Sequence, residues 1–242
     1  MSEKKSDSFP YYEILSDEIT NFDFKYKIIL IGDSSVGKSC LTLRAAKNIF
    51  NNVYTPTVGF EFFNLNIKIK GKNIRLQIWD TCGQEKFRSL ITNFYRNASL
   101  AIIVYSIDEE NSFNHIDQWL NEIRTQTNPD IKIFLIGNKS DLIDLRKIRA
   151  ERAKHFSQER NLEFFIETSA KSGENVLFTF AYAANILLEE SLKNESQNKK
   201  RKINMNIERN DSYISFDFVE DEPSNIIMDN LSNKENKKNC CI

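Results

Sequence analysis

The chain has 242 residues, of which 40% are hydrophobic and 28% charged, and its formal net charge is −1. That balance suits one soluble globular domain with extensions and carries no basic footprint for nucleic acid. No apolar run is long enough to cross a bilayer, no signal-peptide core opens the chain, and Cys40, Cys82, Cys240 and Cys241 form no disulfide framework, so a reducing, cytosolic setting is expected.

Residues 1–24 are mixed and polar, with a small aromatic cluster at Phe9, Tyr11 and Tyr12, and read as a flexible extension. From Lys25 the pattern changes. Nearly continuous apolar runs at 28–31, 101–105 and 133–136 predict strands buried on both faces. The first run leads into Gly32-Asp33-Ser34-Ser35-Val36-Gly37-Lys38-Ser39, which reads G-x-x-x-x-G-K-S, and then into the helix-compatible Cys40-Leu41-Thr42-Leu43-Arg44. A strand, glycine-bearing turn and helix start of this kind cradle a polyphosphate. The glycines let backbone N–H groups face phosphate oxygens, and the helix N-terminus adds a positive dipole end. Lys38 is expected to reach the β and γ phosphates, and the Ser39 hydroxyl to hold Mg²⁺. Alone, the motif leaves an ordinary strand-to-helix loop as the competing reading.

Between this helix and the next strands lies Tyr54-Thr55-Pro56-Thr57-Val58-Gly59. Thr57 is a candidate second hydroxyl ligand for Mg²⁺, and Phe50 can pack edge-on against a purine. Phe63, Leu65, Ile67 and Ile69 alternate with polar residues, Gly71-Lys72 turns, and Ile74, Leu76 and Ile78 alternate again, which predicts an antiparallel hairpin with one apolar face. Its second strand ends in Trp79-Asp80-Thr81-Cys82-Gly83-Gln84-Glu85. There Asp80 can hold Mg²⁺ through water, the Gly83 N–H can meet the γ-phosphate, and Gln84 can orient an attacking water.

A phosphate loop serves ATPases, kinases and GTPases alike. The discriminator is Asn138-Lys139-Ser140-Asp141, an N-K-x-D directly after a strand. The Asp141 carboxylate can accept from both N1–H and the N2 amine of guanine. Adenine lacks that donor pair, and leaving the carboxylate unpaired opposite it costs several kcal/mol, the order of magnitude at which polar readout decides. Lys139 would lie along the base and Asn138 brace the loop. Ser169-Ala170-Lys171 follows the strand-like Phe164-Phe165-Ile166, so the Ala170 N–H can reach guanine O6. Motifs placed after successive strands fit ligand binding at the carboxyl ends of a parallel sheet.

The last amphipathic stretch puts Val176, Phe180, Ala184 and Leu187 on one helical face. Past Lys193 the chain turns to Asn, Ser, Lys and Glu, with a basic run at Lys199–Lys202 and an acidic one at Glu220–Glu222, and 194–242 reads as a disordered tail. Within it, 214–219 is either a short partner-binding motif or a few apolar residues in a floppy tail. His115 and His155 have no metal-ligand spacing around them and read as surface helix residues.

Taken together, these residues make the chain resemble a small GTPase of the Ras superfamily and, within it, the Rab family. The resemblance covers about residues 25–192. Val58-Gly59-Phe60-Glu61-Phe62 is similar to the Rab pattern I-G-V-D-F, and Arg75-Leu76-Gln77-Ile78-Trp79 to K-L-Q-I-W. Phe87–Ile91 through Phe94–Ala98, Ile102–Ile107, and Ser112-Phe113 through Trp119–Ile123 complete the set. Departures are Cys82 for the usual Ala, Ser106 for Asp, Ala45 for Phe and Phe94 for Tyr. None removes a side-chain group that touches nucleotide, and all bear on which effectors and exchange factors bind. Ser34 stands where the wider superfamily often has Gly, but Rabs often carry Ser there.

The resemblance implies an α/β fold, the P-loop NTPase small G domain, with a six-stranded, mostly parallel sheet carrying one antiparallel strand and helices on both faces, over residues 25–193. It adds Ser34, Ser35, Val36, Gly37, Cys40 and Tyr54 to the nucleotide contacts, and Phe62, Trp79 and Phe94 as an aromatic triad for effectors. It implies GTP and GDP with Mg²⁺, catalysis resting on Gln84 and Lys38, and two segments near 53–62 and 81–97 that order around the γ-phosphate. Cys240-Cys241-Ile242 at the terminus implies two geranylgeranyl groups, and two lipids anchor stably where one does not. Implied partners are an exchange factor, a GTPase-activating protein, an escort protein with its prenyl transferase, a GDP-dissociation inhibitor and effectors, around a monomeric G domain. The expected places are the cytosol and the cytoplasmic face of an intracellular membrane, the Golgi or endosomal system being favoured. A GTP-locked scaffold and a GTPase without lipid are the alternatives. Intact Ser39, Thr57, Asp80 and Gln84 oppose the first, and the terminal cysteines the second.

Overall fold

The computed structural model describes residues 9–51, 60–81 and 95–213, with side chains through Asn198. Tyr54, Thr57, Cys82, Gly83, Gln84, Phe94, Cys240, Cys241 and the segment 214–219 lie outside the described residues. The chain divides into two units, Met1–Asn194 and Glu195–Ile242.

The first unit is built on one mixed sheet. Its strands are β1 (Tyr12–Ile14), β2 (Phe24–Ile31), β3 (Phe60–Ile69), β4 (Lys72–Thr81), β5 (Leu100–Ser106), β6 (Lys132–Asn138) and β7 (Phe164–Glu167), in the spatial order β1-β3-β4-β2-β5-β6-β7. The pairs β4–β2, β2–β5, β5–β6 and β6–β7 are parallel, while β1–β3 and β3–β4 are antiparallel.

The apolar runs are continuous because both sides of the central strands are covered. Ile28 and Leu30 of β2 join a core with α1 (Lys38–Lys47) and α5 (Val176–Tyr213), whereas Ile29 and Ile31 join the opposite core. That second core is completed by α2 (Glu110–Asn114), α3 (Ile116–Gln126) and α4 (Ala150–Glu159). Val176, Phe180, Ala184 and Leu187, placed on one helical face by their spacing, all enter the first core. Each fully buried Ile or Leu contributes about 1.5–3 kcal/mol. No helix among the described residues is long and apolar enough to cross a membrane.

The hairpin turns one residue earlier than its Gly-Lys pair suggests. Ile69 pairs with Lys72, so Lys70 (φ 50°) and Gly71 (φ 74°) form the two-residue loop. Left-handed backbone at both positions matches the twist of the flanking strands.

Two expectations are corrected. The sheet has seven strands rather than six, because β1 lies in the N-terminal extension, while β3 is the one strand that runs opposite to the others, pairing antiparallel with both β1 and β4. From Phe9 onward that extension is packed. Tyr12, Glu13 and Ile14 pair with Ile69, Lys68 and Ile67, and the Leu15 N–H donates to Asn66 O at 2.8 Å. The Phe9 ring lies 5.0 Å from that of Phe178 and 5.8 Å from that of Tyr182. Arg75 stacks its guanidinium 4.0 Å over Phe22 and donates to Ile19 O at 3.1 Å. Three strand residues carry no readable period, and their order comes from partners distant in sequence. The second correction concerns the tail, whose first part is helical to Tyr213. The physical reason is composition: no Gly or Pro interrupts 176–213, so nothing ends the helix.

Candidate functional site

The site lies at the carboxyl ends of β2, β6 and β7. β2 stands between β4 and β5, where the strand order reverses and a crevice opens. The loop leaving β2 needs its glycines. Gly32 has φ 139°, and a Cβ there would sit 2.1 Å from the carbonyl oxygen of Val104 on β5. Gly37 has φ 95°, and its Cβ would sit 2.3 Å from Asn138 Nδ2. Ser35 is also left-handed, at φ 65°. Gly37 is the N-cap of α1, which has no capping side chain and no acidic residue in its first turn. Its leading N–H groups suit an external anion.

Lys38 is buried, and its ammonium donates to Gly32 O at 2.8 Å and Asp33 O at 2.7 Å. The charge is thereby held within the loop. Ser34 and Ser35 are exposed, Val36 is buried, and Cys40 is half-buried. Burial, then the nearby Asp80 carboxylate, pushes the Cys40 thiol pKa up, against a smaller opposing effect of Lys139.

Ser39 and Asp80 meet across the loop, Ser39 Oγ donating to Asp80 Oδ2 at 2.5 Å. Asp80 is wholly buried. Burial pushes its carboxyl up to about 6, against the Ser39 hydrogen bond and the Lys38 charge, which lower it. Its other oxygen, Oδ1, is buried with no hydrogen-bond partner among the described residues. A hydroxyl beside a desolvated carboxylate with an orphaned oxygen fits a hard divalent cation.

The second half of the site is knitted by Asn138. Its Nδ2 donates to Val36 O at 2.9 Å, and its Oδ1 accepts from the Ala170 N–H at 3.2 Å and from Thr168 Oγ1 at 3.3 Å. One buried amide therefore joins the loops after β2, β6 and β7. Asp141 Oδ1 accepts from Ser169 Oγ at 2.6 Å, and Lys171 Nζ lies 3.9 Å from Asp141 Oδ2. Lys139 is left-handed (φ 66°), and its ammonium lies 3.4 Å from Asp108 Oδ1.

Sequence reasoning missed three contributors. Arg44 of α1 donates to Ala170 O and Lys171 O, each at 2.8 Å, and lies 6.0 Å from the half-buried Phe50 ring. Its place in the last turn of α1, facing a loop of bare carbonyls, has no signature in the sequence. Phe60 stacks on Trp79 with centroids 5.4 Å apart, while Phe62 meets the same indole edge-on at 5.2 Å. Phe60 and Phe62 are 44% and 41% exposed, so they form an aromatic surface beside the site. The third is Asp33, an acid in a loop shaped for an anion. That oddity is itself a readable sign that a partner must hold it.

Residues 27–189 match the model of the Ras family. The chain is 42% identical over 180 residues to Ras-related protein Rab-13 of Bos taurus, covering 74% of this chain and 88% of that protein. It is 45% identical over 166 residues to GTP-binding protein YPTM2 of Zea mays, covering 68% and 81%. It is also 45% identical over 166 residues to Ras-related protein RABD2a of Arabidopsis thaliana, again covering 68% and 81%.

Proposed function

This chain belongs to the Ras family, as a Rab-type small GTPase of vesicle traffic that binds GTP and GDP, and we propose how its own residues run the switch. The observation that carries the reading is Asn138, whose single buried amide joins the phosphate loop to the two base-reading loops.

Asp141, held by Ser169, reads the N1–H and N2 amine of guanine, and the Ala170 N–H shares its proton between Asn138 Oδ1 and guanine O6. Lys139 and Phe50 flank the base. Ser34, Ser35, Val36, Gly37, Lys38 and Cys40 supply the phosphate cradle, with Tyr54 and Gly83 from the neighbouring segments. Ser39, Asp80 and Thr57 would hold Mg²⁺, which when bound neutralises charge on the β and γ phosphates. Gln84 orients a water for in-line attack on the γ-phosphate. The P–O bond to the leaving GDP breaks, the water oxygen joins phosphorus, and inorganic phosphate departs. Lys38 stabilises the charge that spreads onto the phosphate oxygens. A GTPase-activating protein acting in trans, supplying an arginine to the γ-phosphate, raises turnover by about 10³–10⁵.

Phe62, Trp79 and Phe94 receive effectors. An exchange factor, an escort protein with its prenyl transferase, and a GDP-dissociation inhibitor complete the cycle. Two prenyl groups on Cys240 and Cys241 take the chain between the cytosol and the cytoplasmic face of a Golgi or endosomal membrane. The G domain, residues 25–193, acts as a monomer, and the segment beyond it is a tether. Protein purified from a eukaryotic host tests both ends of this reading. Released nucleotide should be GDP or GTP, and the C-terminal peptide should carry two isoprenoid masses. Bound adenine nucleotide, or unmodified cysteines, would contradict it.

A further inference from the structure

We propose that His115, together with Trp119, is a positioning residue for the phosphate loop, acting through the Asp33 side chain. The inference rests on residues 32–39 being the phosphate cradle. Asp33 is the one acid in that loop, and both of its carboxylate oxygens are taken up by α3. Trp119 Nε1 donates to Oδ1 at 2.8 Å, and His115 Nδ1 bonds Oδ2 at 2.6 Å. A carboxylate accepts, so Nδ1 carries the proton.

The two donors share one helix face because they are four residues apart. His115 is the N-cap of α3, and its carbonyl accepts the Trp119 N–H at 3.2 Å. Trp119 is fully buried in the core on that side of the sheet. The grip on Asp33 is thus anchored in packed structure. Its consequence reaches Lys38, whose ammonium is held by two carbonyls only one residue apart, Gly32 O and Asp33 O. Gly32 is fixed by its close approach to Val104, and Asp33 by the pair on α3. The same two donors engage a negative charge that would otherwise face solvent in a loop receiving a polyanion. A loop without them holds the β-phosphate less well.

Trp119 is a core residue whose loss would unpack the sheet, so the test uses His115, whose side chain is 44% exposed. The full chain is loaded with fluorescent GDP, and its release is followed in Mg²⁺ for the wild type, H115A, H115N, D33A and D33A/H115A. Loss of a hydrogen bond to a charged group predicts release about tenfold faster in H115A. H115N, which keeps a donor, stays near wild type. Adding H115A to D33A changes the rate less than about twofold, since the two act as one unit. Competition by GMP, which lacks the phosphate that Lys38 reaches, shifts by less than about twofold between wild type and H115A. Wild-type release from H115A overturns the proposal, as does an equal acceleration in the D33A background or an equal loss of GMP binding. A wild-type chain that binds no GDP overturns the phosphate-cradle reading and the proposal with it.

Discussion

Asn138 Nδ2 donates to the backbone carbonyl of Val36 at 2.9 Å, spanning 102 residues of sequence. The same amide accepts from the Ala170 N–H, so its removal orphans a buried acceptor and a buried donor together. Gly37 sits against it so closely that a Cβ there would lie 2.3 Å from Asn138 Nδ2.

Asn138→Ala should therefore destabilise the chain by about 1–3 kcal/mol and speed GDP release. Urea unfolding and fluorescent-nucleotide release measure the two effects. Unchanged release at lowered stability would mean that Asn138 holds the fold and not the site.

Much of this was readable beforehand because the chemistry needs fixed residue types at fixed distances from strand ends. The G-x-x-x-x-G-K-S, N-K-x-D and S-A-K segments are such cases, and the alternating hairpin residues are another. What stayed hidden depends on partners far away in sequence. β1 is three residues long and is ordered by β3, and Phe9 before it by rings on α5. Arg44 supports the base loop across 126 residues, and Asp33 meets His115 across 82. His115 read as a bland surface histidine because its spacing suggested no metal, and a bond to one carboxylate leaves no spacing to find.

The packed N-terminal strap is predicted to serve stability more than nucleotide binding. Phe9→Ala removes ring contacts to Phe178 and Tyr182. It should cost about 1–2 kcal/mol and lower Tm by roughly 3–6 °C, with GDP affinity within about twofold of wild type. Thermal melts and GDP titration check this. An unchanged Tm would show that the strap does not pack on α5 in solution.

Asp80 imposes a pH dependence on the chain freed of nucleotide and Mg²⁺. Its folded-state value, about 6, lies above the ordinary 3.8, chiefly through burial. Between those values the folded state holds the extra proton, so stability falls as pH rises through the window. From about pH 5 to about pH 7 the Asp80 contribution to stability drops by about 1 kcal/mol. Asp80→Asn should lose that slope. Urea unfolding at the two pH values, wild type against variant, measures it, and equal slopes would remove Asp80 as the cause.

Gln84→Leu should bind GTP like wild type and lose most of its partner-stimulated hydrolysis, because Gln84 orients water and does not grip phosphate. The expected loss in single turnover with a GTPase-activating protein is about 10²-fold or more. Hydrolysis at the wild-type rate would take the water-positioning role from Gln84.

The most direct measurement is base selection at Asp141, whose carboxylate is already oriented by Ser169 at 2.6 Å. GTP, ATP and xanthosine triphosphate are competed against fluorescent GDP on the wild type and on Asp141→Asn. Wild type should prefer GTP over ATP by about 10⁴-fold or more, since a site built to bond a base's donors rejects one lacking them. Asp141→Asn should weaken GTP and favour the xanthine nucleotide, whose C2 carbonyl needs a donor. ATP displacing GDP from the wild type as readily as GTP does would contradict the guanine-nucleotide switch.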